Sequence, residues 1–458
     1  MKTTFRTLLV GFLLAATSIA YAQQVNTLYF LENAPMRHLI NPAFQPVSNV
    51  YVTLPVIGYS SAWVGNNAFT MKDFIFTDKN GNTITPYHPN ANPDWLAKKP
   101  KNTLIDADAY INLFGLGVRI KDNGYFHLNI SEHIIAGSAA GTNIFGINQL
   151  DSGLIGPFNL GANALVYTDF ALGYSHKIND QWTVGGKFKF LVGQAYVNAN
   201  LDNISLAHSM EELHAYGNGN IVAAAPLQWQ NLPTDVTDLG NIDTEALAGT
   251  DYRDWITPAG LGAAFDLGAT YKPHEQVQIS ASVTDLGFIR WTNLAKGNLS
   301  IDTTFTGVEL NYGDYVYEGE LNQDSLTAHL TNTLNGYADA LNISDIDNNA
   351  KPLTRMLTAN LHVGVDANFW DNRVGVGVHS RTRFYNNVVT EELTLGAAFR
   401  PFNWVNIAAS YSFINGHWSN IGAALSIAPY DGIMLTLATD YIPTTYAKLV
   451  TEIGRASC

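Results

Sequence analysis

Leu357-Thr358-Ala359-Asn360-Leu361-His362-Val363-Gly364-Val365-Asp366-Ala367-Asn368-Phe369 alternates without interruption. Odd-numbered residues are apolar and even-numbered ones polar or glycine, the pattern of a β-strand with two unlike faces. The same alternation runs through Ala162 to Tyr174, Trp182 to Val192, Leu261 to Tyr271, Val277 to Val283, Leu393 to Phe399 and Val405 to Phe413. These runs exceed the roughly five or six residues common in soluble sheets. Extended along the chain, the pattern assigns thirteen strands: Val50 to Trp63, Ala109 to Ile120, Tyr125 to Ala136, Gly161 to Ser175, Trp182 to Asn198, Leu261 to Tyr271, Val277 to Arg290, Leu357 to Phe369, Val374 to Phe384, Leu393 to Phe399, Val405 to Phe413, Ile421 to Ile427 and Ile433 to Tyr441. Such a row implies an all-β fold, a transmembrane antiparallel up-and-down β-barrel with a polar lumen.

Composition agrees. Of 458 residues, 14% are charged and 12% aromatic, a balance suited to a protein with one face in lipid. The net charge of −14 lacks any basic cluster and excludes nucleic acid as the expected partner. Lys2 and Arg6, the apolar stretch Leu8 to Ala20 and the small-residue site Ala20-Tyr21-Ala22 read as a secretory signal, 1–22. No other stretch is apolar for the ~20 residues of a membrane helix. The lone Cys458 can form no internal disulfide.

Short turns are expected at Lys121 to Asn123, Ile178 to Asp180, Pro273 to Glu275, Asp371-Asn372, Pro401 to Asn403 and Pro429 to Asp431, so that Phe369 faces Val374, Phe399 faces Val405 and Ile427 faces Ile433. Long loops are expected at Gly65 to Thr103, Ser138 to Leu160, Asn200 to Pro258 and Thr292 to Thr354, on the extracellular side. Leucine spacing in Asp324 to Leu341, and more weakly Ser209 to Tyr216, suggests short helices over the mouth. Trp63, Trp182, Trp291, Trp370, Trp404 and Trp418 lie near strand ends and read as an interfacial girdle.

Ahead of the first strand, Leu28 to Pro46 is apolar and broken by Pro35, Pro42 and Pro46, neither a strand nor a flexible tail. It needs a surface to bury against, which makes 23–47 a plug in the lumen of a barrel spanning 48–458, with Phe30, Leu39, Ile40 and Phe44 buried and Arg37 against a wall carboxylate. Asn41-Pro42-Ala43 within it resembles the Asn-Pro-Ala motif of the FadL-type family, the long-chain fatty-acid channels and their PorV-type relatives in type IX secretion. With Thr284-Asp285-Leu286-Gly287-Phe288-Ile289-Arg290-Trp291 added, the chain resembles a Bacteroidota family of outer-membrane proteins distantly similar to these channels. The resemblance implies about fourteen strands with an internal N-terminal segment, in the outer membrane.

Parity places Asp169, Lys187, Lys189, Asp266, His362 and Asp366 on the lumen face, with Asp169 opposite Lys187 or Lys189. They form either a charge-balanced wall that holds the plug or, with Arg37, a site for the carboxylate of an amphipathic ligand. His127, Asn129, Ser131 and His133 share a polar face, but Ser131 and His133 stand ~6.5 Å apart along the strand, too far for a nucleophile and base. No Gly-x-Ser-x-Gly elbow is present. Ser344 to Asn349 is oxygen-rich but lacks the glycine and distal glutamate of a calcium loop, and reads as a solvated turn. No enzyme, cofactor or metal is expected.

Single-chain bacterial barrels have an even strand count, so a fourteenth strand is expected after Tyr446. Ala447 to Cys458 offers no alternation, and the chain is expected to be truncated or altered near Lys448, leaving a seam beside the first strand. The expected function is binding or passage of a hydrophobic or amphipathic small molecule by plug movement, in contact with outer-membrane lipid. The alternative is a non-transporting scaffold or secretion accessory that binds a protein partner through its extracellular loops.

Overall fold

The computed structural model describes residues 26–55, 59–69, 73, 76–77, 83–84, 93–149, 153–208, 213–224, 258–305, 316–317, 320–321, 341–385, 388–414, 417–430, 433–440 and 442. Its main element is one sheet of 18 strands. In chain order these are β1 (Val50–Thr53), β2 (Ser60–Asn66), β3 (Asn102–Ile120), β4 (Gly124–Gly141), β5 (Gly153–Lys177), β6 (Trp182–His208), β7 (Leu213–Ala224), β8 (Gly260–His274) and β9 (Val277–Trp291). They continue as β10 (Leu294–Phe305), β11 (Leu341–Ala350), β12 (Leu353–Met356), β13 (Ala359–Phe369), β14 (Val374–Tyr385), β15 (Val388–Phe402), β16 (Val405–Ile414), β17 (His417–Tyr430) and β18 (Ile433–Thr439).

Neighbours along the chain pair antiparallel from β3 through β6, then β6 with β8, β8 with β9, β9 with β12 and β13, and onward to β18. β1 and β2 are two pieces of one pass, both paired to β3. The remaining strands form an extension: the far half of β6 leaves β8 at Gly193 and pairs with β7, which pairs with β10, which pairs with β11. Two broken passes and three extension strands thus turn the thirteen expected strands into 18. Among the described residues no ladder joins β18 to β1 or β2, so in place of the expected closed fourteen-strand barrel they form an antiparallel sheet of 18 strands.

Several loop expectations give way to strands. Asn200 to Pro258 and Thr292 to Thr354 contain β7, β10 and β11, because Gly, Asn and Ser-rich runs there find a ladder partner despite weak intrinsic propensity. Leu213 to Tyr216 is strand rather than helix, and Ser344 to Asn349 lies within β11 rather than in a turn. The helix expected at Asp324 to Leu341 falls outside the described residues except for Leu341, which begins β11. Lys448 to Cys458 also lies outside them.

The two faces of the sheet are inverted relative to a soluble protein. In β13, Asn360, His362 and Asp366 are buried while Val363 and Val365 are exposed; in β16, Asn406, Ser410 and Ser412 are buried while Ile407 and Tyr411 are exposed. Leu267, Phe399 and Leu437 are 60%, 51% and 65% exposed, uncovered among the described residues. The inner face curls around the N-terminal segment, whose 3₁₀ turns Asn26–Phe30 and Pro35–Leu39 place Leu28, Tyr29, Phe30, Leu31, Met36 and Phe44 in one cluster with wall residues Tyr51, Tyr125, Ala398 and Ala408.

The Asn41-Pro42-Ala43 motif has a local cause. The Asn41 Oδ1 accepts the Ala43 N–H at 2.8 Å, while its Nδ2 donates to the carbonyls of Ala269 and Ala281, each at 3.2 Å and paired across β8 and β9. The segment lies so close to the wall that a Cβ at Gly185 would collide with the Pro42 carbonyl, and one at Gly268 with the Asn41 side chain. Gly268→Val should therefore displace the segment. Protease cleavage near Phe44 in the folded, detergent-purified protein should become about tenfold faster, a shift of ~1.4 kcal/mol; unchanged protection would contradict this packing.

Candidate functional site

Three groups of inner-face residues meet the plug. On β6, the Lys187 ammonium donates to the His38 carbonyl at 2.5 Å and to His38 Nδ1 at 2.7 Å. That fixes the His38 proton on Nε2, which reaches the Tyr51 hydroxyl at 2.9 Å, and the hydroxyl in turn donates to His127 Nδ1 at 3.1 Å. Burial first, and then the adjoining Lys187 charge, hold His38 neutral, well below the ordinary histidine range.

Lys189, two residues on, bridges Asp266 at 2.9 Å and Asp285 at 2.6 Å, and the Asp285 N–H donates to Asp266 Oδ1 at 2.8 Å. Asp285 escapes a parity reading because it follows the outward-facing Val277, Ile279, Ala281 and Val283. A register shift between β8 and β9 puts Asp285 at φ 58° and turns its side chain inward. Asp169 also departs from expectation. It lies across from Leu191, not from a lysine, and its Oδ2 meets His133 Nε2 at 3.1 Å. The cause is the turn after β5, where the Asn179 Oδ1 accepts the N–H groups of Gln181 and Trp182 at 2.9 and 2.8 Å. The loop is two residues longer than expected, which moves each partner from Lys177 back to Tyr167 by two while keeping its face. Phe399 opposite Ile407 and Ile427 opposite Leu435, rather than Val405 and Ile433, show the same two-residue shift, whereas Phe369 does face Val374.

The third group spans β9 and β13 to β18. The Tyr29 hydroxyl donates to Asp366 Oδ1 at 3.0 Å and meets Ser280 Oγ at 2.9 Å; its ring stacks on His379 at 4.5 Å, and His379 Nε2 meets His362 Nδ1 at 3.1 Å. Asp440 accepts the Thr27 N–H at 2.9 Å, the Thr27 hydroxyl at 2.5 Å and the Asn26 N–H. Glu392 accepts from Asn26 Nδ2 at 2.8 Å. The Arg37 guanidinium lies 4.1 Å over the Phe44 ring and forms no direct ion pair with a wall carboxylate among the described residues, its charge reaching Asp366 only at longer range. The ion pair that joins segment and wall is Glu32 with Arg400, at 3.4 Å.

Two of the six tryptophans expected in a girdle are buried instead: Trp63 lies under Arg383 at 4.6 Å because its parity points inward, and Trp291 stacks on Tyr196 at 5.3 Å because the irregularity at Asp285 exchanges the faces of the rest of β9. Trp182, Trp370 and Trp404 are exposed near the short turns. Among the described residues no three His, Cys, Asp or Glu side chains gather as a metal site.

Between plug and wall lies a cavity of about 50 Å³, enough for a few waters and well below the several hundred Å³ of a drug-sized pocket. Asn26, Leu28, Leu39 and Ile40 of the segment form one side; Asn129, Ser131, His133, Asp169, Lys187 and Lys189 lie on the other, with Ala171 among them. The segment side is mostly apolar and the other mostly polar.

Residues 42–440 match a family described as of unknown function. The chain belongs to DUF5723. No curated protein matches it by sequence. Among solved structures, this DUF5723 chain is similar to a Pseudomonas aeruginosa FadL homologue (12% identity, 89% of this chain and 85% of that one, TM-score 0.40). It is also similar to the Pseudomonas putida toluene transporter TodX (10%, 82% and 87%, 0.34) and the Ralstonia pickettii toluene transporter TbuX (7%, 83% and 74%, 0.31). Likeness at this level says nothing about what the DUF5723 chain binds.

The Glu32 contact carries a pH dependence. Burial opposes its charge, but Arg400 and Arg37 outweigh burial and leave the carboxyl below its ordinary range. A carboxyl lowered in the folded state stabilises above its unfolded value and loses that contribution as pH falls through the lowered one. Protease cleavage of the segment should therefore rise once the medium is more acidic than the ordinary glutamate range, and Arg400→Ala should loosen it at neutral pH by about 1 kcal/mol. A flat profile in the wild type would contradict the role of this pair.

Proposed function

We propose that the sheet closes as an outer-membrane β-barrel that binds an amphipathic small molecule between plug and wall and passes it on when the plug moves. The observation that carries this reading is the two-sided cavity, with Leu28, Leu39 and Ile40 facing Asn129, Asp169 and Lys189. Amphipathic ligands need both kinds of wall. The uncovered apolar outer face supports insertion in lipid, since a strand wall in hydrocarbon places its apolar side chains outward and pairs its backbone in ladders. Export by the 1–22 signal completes the route.

A second reading, a non-transporting accessory barrel whose extracellular loops hold a protein partner, is favoured by the commitment of Lys187 and Lys189 to internal partners. The two readings part on the cavity. Native mass spectrometry of the detergent-purified protein should show a bound small molecule, and Ile40→Trp, which fills the cavity, should lower its occupancy about tenfold. A protein that carries nothing, and an Ile40→Trp variant with unchanged function in cells, would support the accessory reading instead. On a detergent gel the unboiled protein should migrate apart from the boiled one; recovery as a soluble protein without detergent would contradict membrane insertion.

A further inference from the structure

Lys189 shares its ammonium between two carboxylates that are placed differently toward it. Asp266 stands on the neighbouring strand β8 and Asp285 on β9, at 2.9 and 2.6 Å from Nζ. Lys189 is 7% exposed and Asp266 0%. The Asp285 contact is a hydrogen bond, whereas Asp266 Oδ2 lies at ion-pair distance without the direction of one. The other oxygen of Asp266, Oδ1, accepts the backbone N–H of Asp285 at 2.8 Å.

A plain ion pair does not need this arrangement. Asp285 reaches the site because the bulge in β9 holds it at φ 58°, a conformation that residues other than glycine adopt sparingly. Bulges and backbone outliers of this kind gather where a side chain is aimed at chemistry. Each group here has a part in one reaction. Lys189 is a nucleophile once it loses a proton, Asp285 is the base that touches it, Asp266 is the acyl group, and the Asp285 N–H stands where negative charge would develop on Oδ1. Contact inside a buried site replaces a bimolecular encounter. Burial also drives the reaction, since two buried charges cost more than the neutral amide they become.

We propose that Lys189 Nζ and Asp266 Cγ join as an intramolecular amide that ties β6 to β8. Asp285 takes a proton from the ammonium, the freed nitrogen pair attacks Asp266 Cγ, and Oδ2 leaves as water with the electron pair of the broken C–O bond. Of the three ammonium protons, two depart on that water by way of Asp285 and one stays on the amide nitrogen, so the step needs no co-reactant. Asp285 ends as the carboxylate it began as, accepting the amide N–H. The cavity, which Lys189 and Asp285 both line, has room for the released water. The tie lies just before Gly193, where β6 parts from β8 to join β7, and keeps that fork from unzipping down the wall.

The test is a peptide map of the detergent-purified full chain, denatured, digested and read by tandem mass spectrometry. The wild type should yield a branched peptide in which Lys189 is joined to Asp266, lighter than the sum of its two parts by one water. Lys189→Arg, which keeps the charge but not the reactive amine, should yield none, and the isosteric Asp285→Asn should form the branch at least about a hundredfold more slowly. Linear Lys189 and Asp266 peptides from the wild type would mean an ion pair only and overturn the proposal. So would a water lost at Asp266 while the Lys189 peptide stays linear, the mark of a cyclic imide. Undiminished branching in Asp285→Asn would overturn the step through Asp285. Gel mobility of the unboiled variants shows whether each folds, and the wild-type map decides the bond without them.

Discussion

The inner face of the sheet carries lysines, histidines and carboxylates that could not be buried alone, and the N-terminal segment is what makes their burial tolerable. An unpaired buried charge is costly, while one bonded on several sides is not. The segment supplies the His38 carbonyl and imidazole to Lys187, the Tyr29 hydroxyl to Asp366, the Thr27 and Asn26 groups to Asp440 and Glu392, and Glu32 to Arg400. Its apolar residues meanwhile cluster with Tyr51, Tyr125, Ala398 and Ala408 of the sheet and stay out of water. Wall and segment therefore specify each other.

This dependence explains which features were legible in the sequence. Period-two alternation located the long passes because each has one apolar, exposed face and one polar, buried face. The inward placement of Asp169, Lys187, Lys189, Asp266, His362 and Asp366 followed from the same parity, and all six are buried. Partners were harder. A two-residue difference in loop length moves Asp169 from a lysine to Leu191 without changing its face, and alternation does not register such a shift. Asp285 and Trp291 were hidden by one bulge, which exchanges the faces of β9, whereas Trp63 is buried as its parity indicates despite its nearness to a strand end. The extension β7, β10 and β11 was invisible because its polar, glycine-containing strands lack the uniformly apolar face that sets the alternation elsewhere.

The plug is held by many modest contacts rather than by one deep lock. Each hydrogen bond contributes about 1 kcal/mol net, so the segment is secure at rest and yet removable in steps. The cavity sits where that removal would begin to matter, since Leu39 and Ile40 directly follow His38, the residue gripped by Lys187.

The central claim, that passage requires the segment to leave its seat, is tested most directly by tethering it. Thr27 Oγ1 and Ser410 Oγ are 2.6 Å apart, close enough for a disulfide between cysteines placed at these positions in a Cys458→Ser background. With the bond formed, uptake of a labelled long-chain alcohol by cells carrying the protein should stop, and reduction should restore it. Uptake that continues unchanged through the oxidised, tethered protein would contradict the account.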